Sequence, residues 1–389
     1  MRIIVSGGGT GGHISPVLAV ISELQKLDPY VELLYIGSKE GLESRIIPQA
    51  GFDYRGISSG KFRRYHRSKV LNILDPTTVF KNARDFFHFI RGYFEAKKII
   101  RNFDPDIVFT KGGYVSLPVG IAASGLKYPL VIHESDSVIG LSNKILSKRA
   151  DVVCVSYPLT AYKDEKLDKL VYTGNPIRED IALGDKKKAT QEFGLTTGKK
   201  TVLVIGGSQG SYIINQIISE SLNELLKKYQ IIHISGERDY DWLDFKSEKI
   251  DAKIKENYHL YSFLSGNLKD AFAVADLVIS RAGNNVIAEL AALSKPIILV
   301  PLATSANDHQ LQNAQILSRL GGCILMLQEH LTAKKITRQI DLLFEDPAEM
   351  ERMSKKLHTL VQEDAALRVA KEIISSGSEF KRNVEVEKQ

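Results

Sequence analysis

Two segments of the chain repeat one pattern, and that pattern limits the fold more than any other feature. Ile3-Ile4-Val5-Ser6-Gly7-Gly8-Gly9 and Val202-Leu203-Val204-Ile205-Gly206-Gly207-Ser208 are each a short apolar run that breaks into glycines. An aliphatic run of this length without polar alternation reads as a strand buried on both faces, as in a parallel sheet covered by helices. Glycines directly after it let the main chain turn tightly into the next helix. Each copy opens a half of similar size, so the pattern predicts two doubly wound α/β domains rather than one large sheet. The 389 residues are enough for this, since length alone allows about two or three domains of ~150 residues.

Other apolar runs extend the same scheme. Residues 33–36, 107–109, 130–132 and 152–155 read as strands of the first half, and 231–234, 277–279 and 297–300 as strands of the second. Ser15 and Pro16 suit the N-cap and first position of a helix that carries Val17, Leu18, Ile21 and Leu24 on one face. Asn175-Pro176 and the polar run 185–188 lie near the domain boundary, giving expected domains at 1–176 and 177–363. After Asp346-Pro347 the pattern is one or two helices, then a polar tail over 376–389 that frays. Such sheets bind ligands beyond the carboxyl ends of their strands, so the site is expected in a central cleft that the two domains face.

Composition removes several classes. Hydrophobic residues at 43% and charged residues at 25% exclude a disordered or collagen-like chain. The two cysteines, Cys154 and Cys323, lie in apolar runs and cannot build a disulfide framework or a cysteine metal site, which fits a reducing cytoplasm. No signal peptide is expected, because the first apolar run meets the glycine turn at once, and no apolar stretch is long enough to span a bilayer. Lys and Arg number 52 against 46 Asp and Glu, a net charge of +6 that favours an anionic partner without choosing among nucleic acid, phosphate ligand and lipid surface.

Three glycine clusters follow strands: residues 7–12, Gly112-Gly113 and Gly206-Gly207-Ser208-Gln209-Gly210. Glycine lets backbone N–H groups close on a phosphate while the next helix offers its positive end. A single such turn is often needed for packing alone; three in one α/β chain point to a phosphate-bearing ligand. Residues 7–12 satisfy G-x-G-x-x-G, yet the second strand ends Tyr35-Ile36-Gly37-Ser38 with no acid before Glu40 to hold a dinucleotide ribose. No lysine follows the glycines as a P-loop requires. Both familiar nucleotide motifs fit poorly.

Six ordered motifs carry a resemblance: Gly8-Gly9-Thr10-Gly11-Gly12-His13, Lys111-Gly112-Gly113-Tyr114-Val115-Ser116, His133-Glu134, Gly174-Asn175-Pro176-Ile177-Arg178, Gly206-Gly207-Ser208-Gln209-Gly210 and Asp308-His309-Gln310. Their order resembles the MurG family, over nearly the whole chain to about residue 370. The resemblance implies a GT-B fold of two Rossmann-like domains and an inverting transfer of N-acetylglucosamine. The implied donor is UDP-N-acetylglucosamine, and the acceptor is the C4 hydroxyl of undecaprenyl-pyrophosphoryl-N-acetylmuramyl-pentapeptide, in peptidoglycan synthesis. It further implies no cofactor, a peripheral position on the cytoplasmic face of the cell membrane, cell-wall synthesis proteins as further partners, and a C-terminal helix over 364–378 crossing back to the first domain ahead of a tail at 379–389. By the same resemblance Arg178 and Ser208 contact the diphosphate, Leu264 lies beside the uracil, and Asn284 and Asn285 open a helix beneath the diphosphate and ribose. Glu289 accepts from the ribose hydroxyls, Gln310 meets the sugar, and Thr10, Gly11 and Gly12 close over the donor. Asp136 stands in His133-Glu134-Ser135-Asp136, where many members have His-Glu-Gln-Asn, so its hold on the acetamido sugar is a departure from the pattern.

Inversion in a single displacement needs a base near the acceptor hydroxyl. His13 is the first candidate, because the positive end of a helix starting near Pro16 disfavours imidazolium. The alternative is that His13 only hydrogen-bonds the loop or the diphosphate. His133 and Glu134 read either as a structural pair or as groups that position His13 or the acceptor, with Glu134 the second catalytic candidate. Asp104-Pro105-Asp106 and Asp239-Tyr240-Asp241 have the Asp-x-Asp spacing of metal-dependent transferases but read as solvated turns, so no metal is expected. Leaving-group charge would instead meet backbone N–H groups, a helix end and Arg178.

Lys61, Arg63, Arg64, Arg67 and Lys69 precede Phe80, Phe86, Phe87, Phe89, Tyr93 and Phe94. No RNA-binding motif accompanies them, and they read as a contact with anionic inner-leaflet lipid rather than nucleic acid. Two rivals remain at this stage: a GT-B transferase acting on another lipid, and a non-catalytic UDP-sugar-binding subunit that docks on membranes.

Overall fold

The apolar runs form the interiors of two parallel sheets in the computed structural model. It describes the chain apart from residues 9–10, 61–75, 163–166, 208–209, 265, 306–307 and 388–389. Two compact units result, residues 1–176 with 364–389, and residues 177–363.

The first unit runs β1 (Arg2–Ser6), α1 (Gly11–Leu27), β2 (Glu32–Ser38), α2 (Glu43–Gln49), β3 (Asp53–Ile57) and α3 (Pro76–Phe103). It continues with β4 (Ile107–Thr110), α4 (Ser116–Gly125), β5 (Leu130–Glu134), α5 (Leu141–Leu146), β6 (Val152–Val155) and β7 (Leu170–Tyr172). All seven strands are parallel, in the order β3-β2-β1-β4-β5-β6-β7. The order reverses between β1 and β4, where Ser6 lies beside Thr110, so a crevice opens beyond those two carboxyl ends.

The second unit repeats the plan. It begins with α6 (Lys186–Glu192), β8 (Thr201–Ile205), α7 (Tyr212–Leu225), β9 (Gln230–Ile234), α8 (Glu237–Ser247), α9 (Ala252–Lys255) and β10 (Tyr258–Tyr261). Next come α10 (Leu268–Val274), β11 (Leu277–Ser280), α11 (Asn284–Ala292), β12 (Ile297–Leu299), α12 (His309–Arg319), β13 (Ile324–Leu325), α13 (Ala333–Glu345) and α14 (Pro347–His358). Its sheet order is β10-β9-β8-β11-β12-β13, with the switch between β8 and β11. One buried cluster on each face covers it, around Leu203, Phe272 and Leu299 on one side and Val204, Ile279 and Ile340 on the other.

Three local expectations need correcting. The first helix begins at Gly11, four residues before Ser15, and takes Pro16 inside it. Proline lacks an N–H and crowds the carbonyl of residue 12, and the glycine there has the backbone freedom to accommodate the ring. His13 therefore lies in the helix's first turn. The polar tail expected from 376 or 379 is instead part of α15 (Ala365–Glu387), one continuous helix. Val369, Ala370 and Ile373 enter the core of the first unit with Ile3, Val17 and Phe109. Further along, Phe380 packs on Tyr128 at 6.1 Å between ring centroids, and Lys381 pairs with Asp106 at 2.9 Å. Those contacts favour the helix over a coil. Finally, Asp239 is in the first turn of α8 and buried, accepting from Asn215 Nδ2 at 2.9 Å and pairing with Arg238, so it is not a solvated turn.

Candidate active site

The glycine turn after β1 and the Lys111-Gly112-Gly113 turn after β4 flank the switch point of the first sheet. Gly112 and Gly113 both have positive φ, at 93° and 84°. A Cβ at Gly113 would stand 2.7 Å from the Gly8 carbonyl oxygen and 3.5 Å from His13 Cε1, so the His13 ring lies directly over this turn. His13 is half-buried. Its imidazole is pushed down to about 4, first by burial and then by the Lys111 ammonium, with Asp136 and Glu43 opposing. The ring is neutral at neutral pH, and the largest cause is burial.

Behind the turn stands a buried polar network. Lys111 is 1% exposed, and its ammonium donates to His133 Nδ1 at 2.7 Å, to Asn175 Oδ1 at 3.3 Å and to Ser135 Oγ. His133 Nε2 therefore carries the proton and donates to the Gly174 carbonyl at 2.9 Å. Glu134 accepts from the Asp136 N–H at 3.0 Å, the Gly140 N–H at 2.9 Å and Asn143 Nδ2 at 2.9 Å. Burial, aided by Asp136, raises its carboxyl above the usual range. The Asp136 carbonyl in turn accepts from Tyr162 Oη at 2.9 Å. These groups wall a cavity of about 240 Å³ onto which His13, Lys111, Tyr114, Glu134, Asp136 and Asn143 open. Asn143 Oδ1 is buried there without a hydrogen-bond partner.

The sequence reading passed over two of these groups. Lys111 heads one of the six motifs but carries no assigned role there; its position at the end of an apolar run, where a strand delivers it to the ligand end of the sheet, is the signal that marks it. Glu43 supplies an acid at the carboxyl end of β2 after all, but from α2: fully buried, it accepts from Ser38 N–H at 3.0 Å and Oγ–H at 2.6 Å. A side chain at Gly8 would strike its carboxylate, so Glu43 underpins the glycine turn.

In the second unit, the turn after β8 and the start of α11 after β11 flank the other switch point. Ser208 and Thr10 lie outside the described residues. On the helix side of that turn, Ser211 accepts from the Ile214 N–H at 3.3 Å and caps α7. Asn284 and Asn285 occupy the first turn of α11, where the helix dipole favours an anion. Arg178 and Glu289, expected as separate ligand contacts, face each other with Nε and Oε1 at 3.2 Å. Burial raises the Glu289 carboxyl while Arg178 opposes this. Arg178 Nη2 is buried without a hydrogen-bond partner, a donor that a phosphate oxygen would satisfy. Gln310 accepts from the Leu302 N–H at 3.0 Å, fixing the loop before α12. Leu264 is packed into the core, so a base would meet mainly its backbone.

Asp104, Asp106 and Asp239 are each held by contacts within their own surroundings. Asp106 precedes β4 at its amino end, accepting from the Arg2 N–H at 2.7 Å, and Asp104 accepts from Tyr128 Oη at 2.7 Å. Asp239 is engaged as described above. Among the described residues, no group of three or more His, Cys, Asp or Glu side chains is placed to hold a metal ion.

Residues 3–155 match the glycosyltransferase family 28 N-terminal domain and residues 201–371 its C-terminal domain. With two parallel doubly wound sheets, this defines an α/β glycosyltransferase of the GT-B fold. A UDP-N-acetylglucosamine–N-acetylmuramyl-(pentapeptide) pyrophosphoryl-undecaprenol N-acetylglucosamine transferase of Clostridium botulinum (strain Kyoto / Type A2) is 41% identical over 346 residues, 89% of this chain and 91% of that protein. A protein of the same description from Clostridium perfringens (strain SM101 / Type A) is 42% identical over 342 residues, 87% and 89% of the two chains. The crystal structure of Acinetobacter baumannii MurG superposes with a TM-score of 0.72 at 24% identity, over 96% of this chain and 99% of that one, which bears on the fold. The chain belongs to the MurG family within glycosyltransferase family 28.

Proposed function

We propose that the protein moves N-acetylglucosamine, with inversion, from UDP-N-acetylglucosamine to the C4 hydroxyl of undecaprenyl-pyrophosphoryl-N-acetylmuramyl-pentapeptide. Beyond the likeness to its relatives, one observation carries this reading: a neutral His13 ring opening on a cavity at the switch point of the first unit. There His13 takes the proton of the acceptor hydroxyl as its oxygen attacks the anomeric carbon. The bond from that carbon to the UDP oxygen breaks with its electron pair, and the charge grows on the diphosphate. In the second unit, Arg178 Nη2 offers that charge a fixed donor and α11 the positive end of its dipole. Glu289 holds Arg178 in place and accepts from the ribose, while the NH₂ end of Gln310 meets the sugar. Glu134 and Asp136 shape the acceptor side of the cavity. The test is release of UDP from UDP-N-acetylglucosamine with the lipid-linked muramyl-pentapeptide. Release should require the acceptor and survive chelator; equal release without acceptor would overturn the reading.

Among the described residues no helix is long and apolar enough to cross a membrane, yet α3 presents an unusual surface. Phe80, Phe87, Ile90 and Phe94 recur at seven-, three- and four-residue steps, so they share one helix face, and all are exposed. Arg84, Arg91 and Lys98 run alongside at seven-residue steps. Apolar rings beside basic heads suit the surface of an anionic leaflet, which supports a peripheral position on the cytoplasmic face of the membrane. The basic run at 61–69 lies outside the described residues. Replacing Phe87 and Phe94 with Ser should cut binding to acidic vesicles at least about tenfold, given ~1.5–3 kcal/mol per buried ring. Binding should also fall with salt. Unchanged vesicle binding by a folded double variant would remove the membrane contact.

A further inference from the structure

The groups that set the state of His13 lie one layer behind the cavity, and Lys111 is the one the transfer scheme leaves unused. An ammonium has three N–H donors, and here each has an acceptor: His133 Nδ1, Ser135 Oγ and Asn175 Oδ1. With all three occupied, Lys111 has no donor left for a ligand. All three acceptors are neutral, so none of these contacts cancels the charge, and at 1% exposure water does little to screen it. Lys111 also lines the cavity shared with His13.

We propose that Lys111 is a positioning residue for the transfer reaction: its fully engaged ammonium fixes the 133–136 wall of the cavity and maintains a positive charge facing the His13 ring. The inference rests on the reading of His13 as the base. Hydrogen bonding places the charge, and the charge disfavours a proton on the imidazole. Besides Lys111, the turn after β4 brings Tyr114 to the same cavity. From the end of β5 come His133, Glu134 and Asp136, and from β6 the buried Cys154. Asp136 and Glu43, from α2, act on His13 in the opposite sense to Lys111. Burial pushes Lys111 itself down, while Glu134 and Asp136 hold it up, so the cation is supported at neutral pH by those two acids. Asn175 lies three residues beyond the end of β7, so the same ammonium also ties the segment after that edge strand to the cavity wall.

Histidine-labelled full-length protein, followed by NMR through a pH titration, tests this directly, with His13→Asn identifying the His13 resonance. In wild type the ring should titrate below about pH 5; a midpoint at or above the ordinary 6.5 overturns the proposal. Lys111→Gln keeps amide donors and removes the charge, and Lys111→Met removes both. In each folded variant the midpoint should rise by at least about one unit, because protonation no longer opposes a neighbouring cation. A midpoint unmoved in Lys111→Gln refutes the role, since a merely structural lysine would leave it in place. The acid limb of kcat/KM should move up with the ring. If the ring moves and the limb does not, Lys111 acts on His13 as proposed and the assignment of His13 as base fails. Calorimetric UDP affinity should stay the same in both variants, and unchanged amide NMR signals from the first unit certify that it is folded.

Discussion

His13→Asn is expected to lose about 10²–10⁴-fold in turnover while binding UDP as wild type does. Asparagine can still donate a hydrogen bond to a loop carbonyl or a phosphate, but it cannot take a proton. The substitution therefore separates a base from a contact. His13→Ala should fall by a similar factor, because the ring lies over Gly113 and leaves a gap rather than a collapsed turn. With burial and Lys111 holding the wild-type ring down to about 4, the loss should be flat across neutral pH. Near wild-type turnover by a folded His13→Asn protein, in an assay limited by chemistry, would transfer the role to Glu134. That carboxylate already accepts from three N–H groups, so its use as a base would require at least one of them to let go.

The donor side should give the second large effect. Arg178→Ala removes the guanidinium whose Nη2 lacks a partner, and should weaken UDP binding by about 1–3 kcal/mol. Glu289→Ala should cost a similar amount by two routes, loss of a ribose acceptor and release of Arg178 from its 3.2 Å pairing. Because the two side chains touch, their effects should not add: the double variant should bind UDP more tightly than the sum of the single losses implies. Calorimetry on the three folded variants decides it. Strict additivity would mean the pair does not act as a unit, and wild-type affinity in both single variants would mean that the donor lies elsewhere.

How much was legible in the sequence depends on burial. Nine apolar runs were read as strands and all nine form. The four strands that were missed, β3, β7, β10 and β13, are the four sheet edges. An edge strand has one side open, so residues such as Asp53, Arg55 and His259 need not be apolar, and the continuous aliphatic signal disappears. The tail was misread for a related reason. Lys381 and Phe380 look like solvent-facing residues until tertiary structure brings Asp106 and Tyr128 beside them.

The site divides along the same line. The sequence alone determined the glycine turns, their place after buried strands and the identity of His13, because those depend on local backbone freedom and on residues a few positions apart. Tertiary structure alone decided that Lys111, His133 and Asn175 share one ammonium, that Glu43 backs Gly8, and that Arg178 meets Glu289. Each of these joins residues distant in sequence through sheet order. Charge state followed the same rule. The helix end expected to keep His13 neutral is present, but burial and a lysine from the turn after β4 are the main causes, and no local pattern reports either.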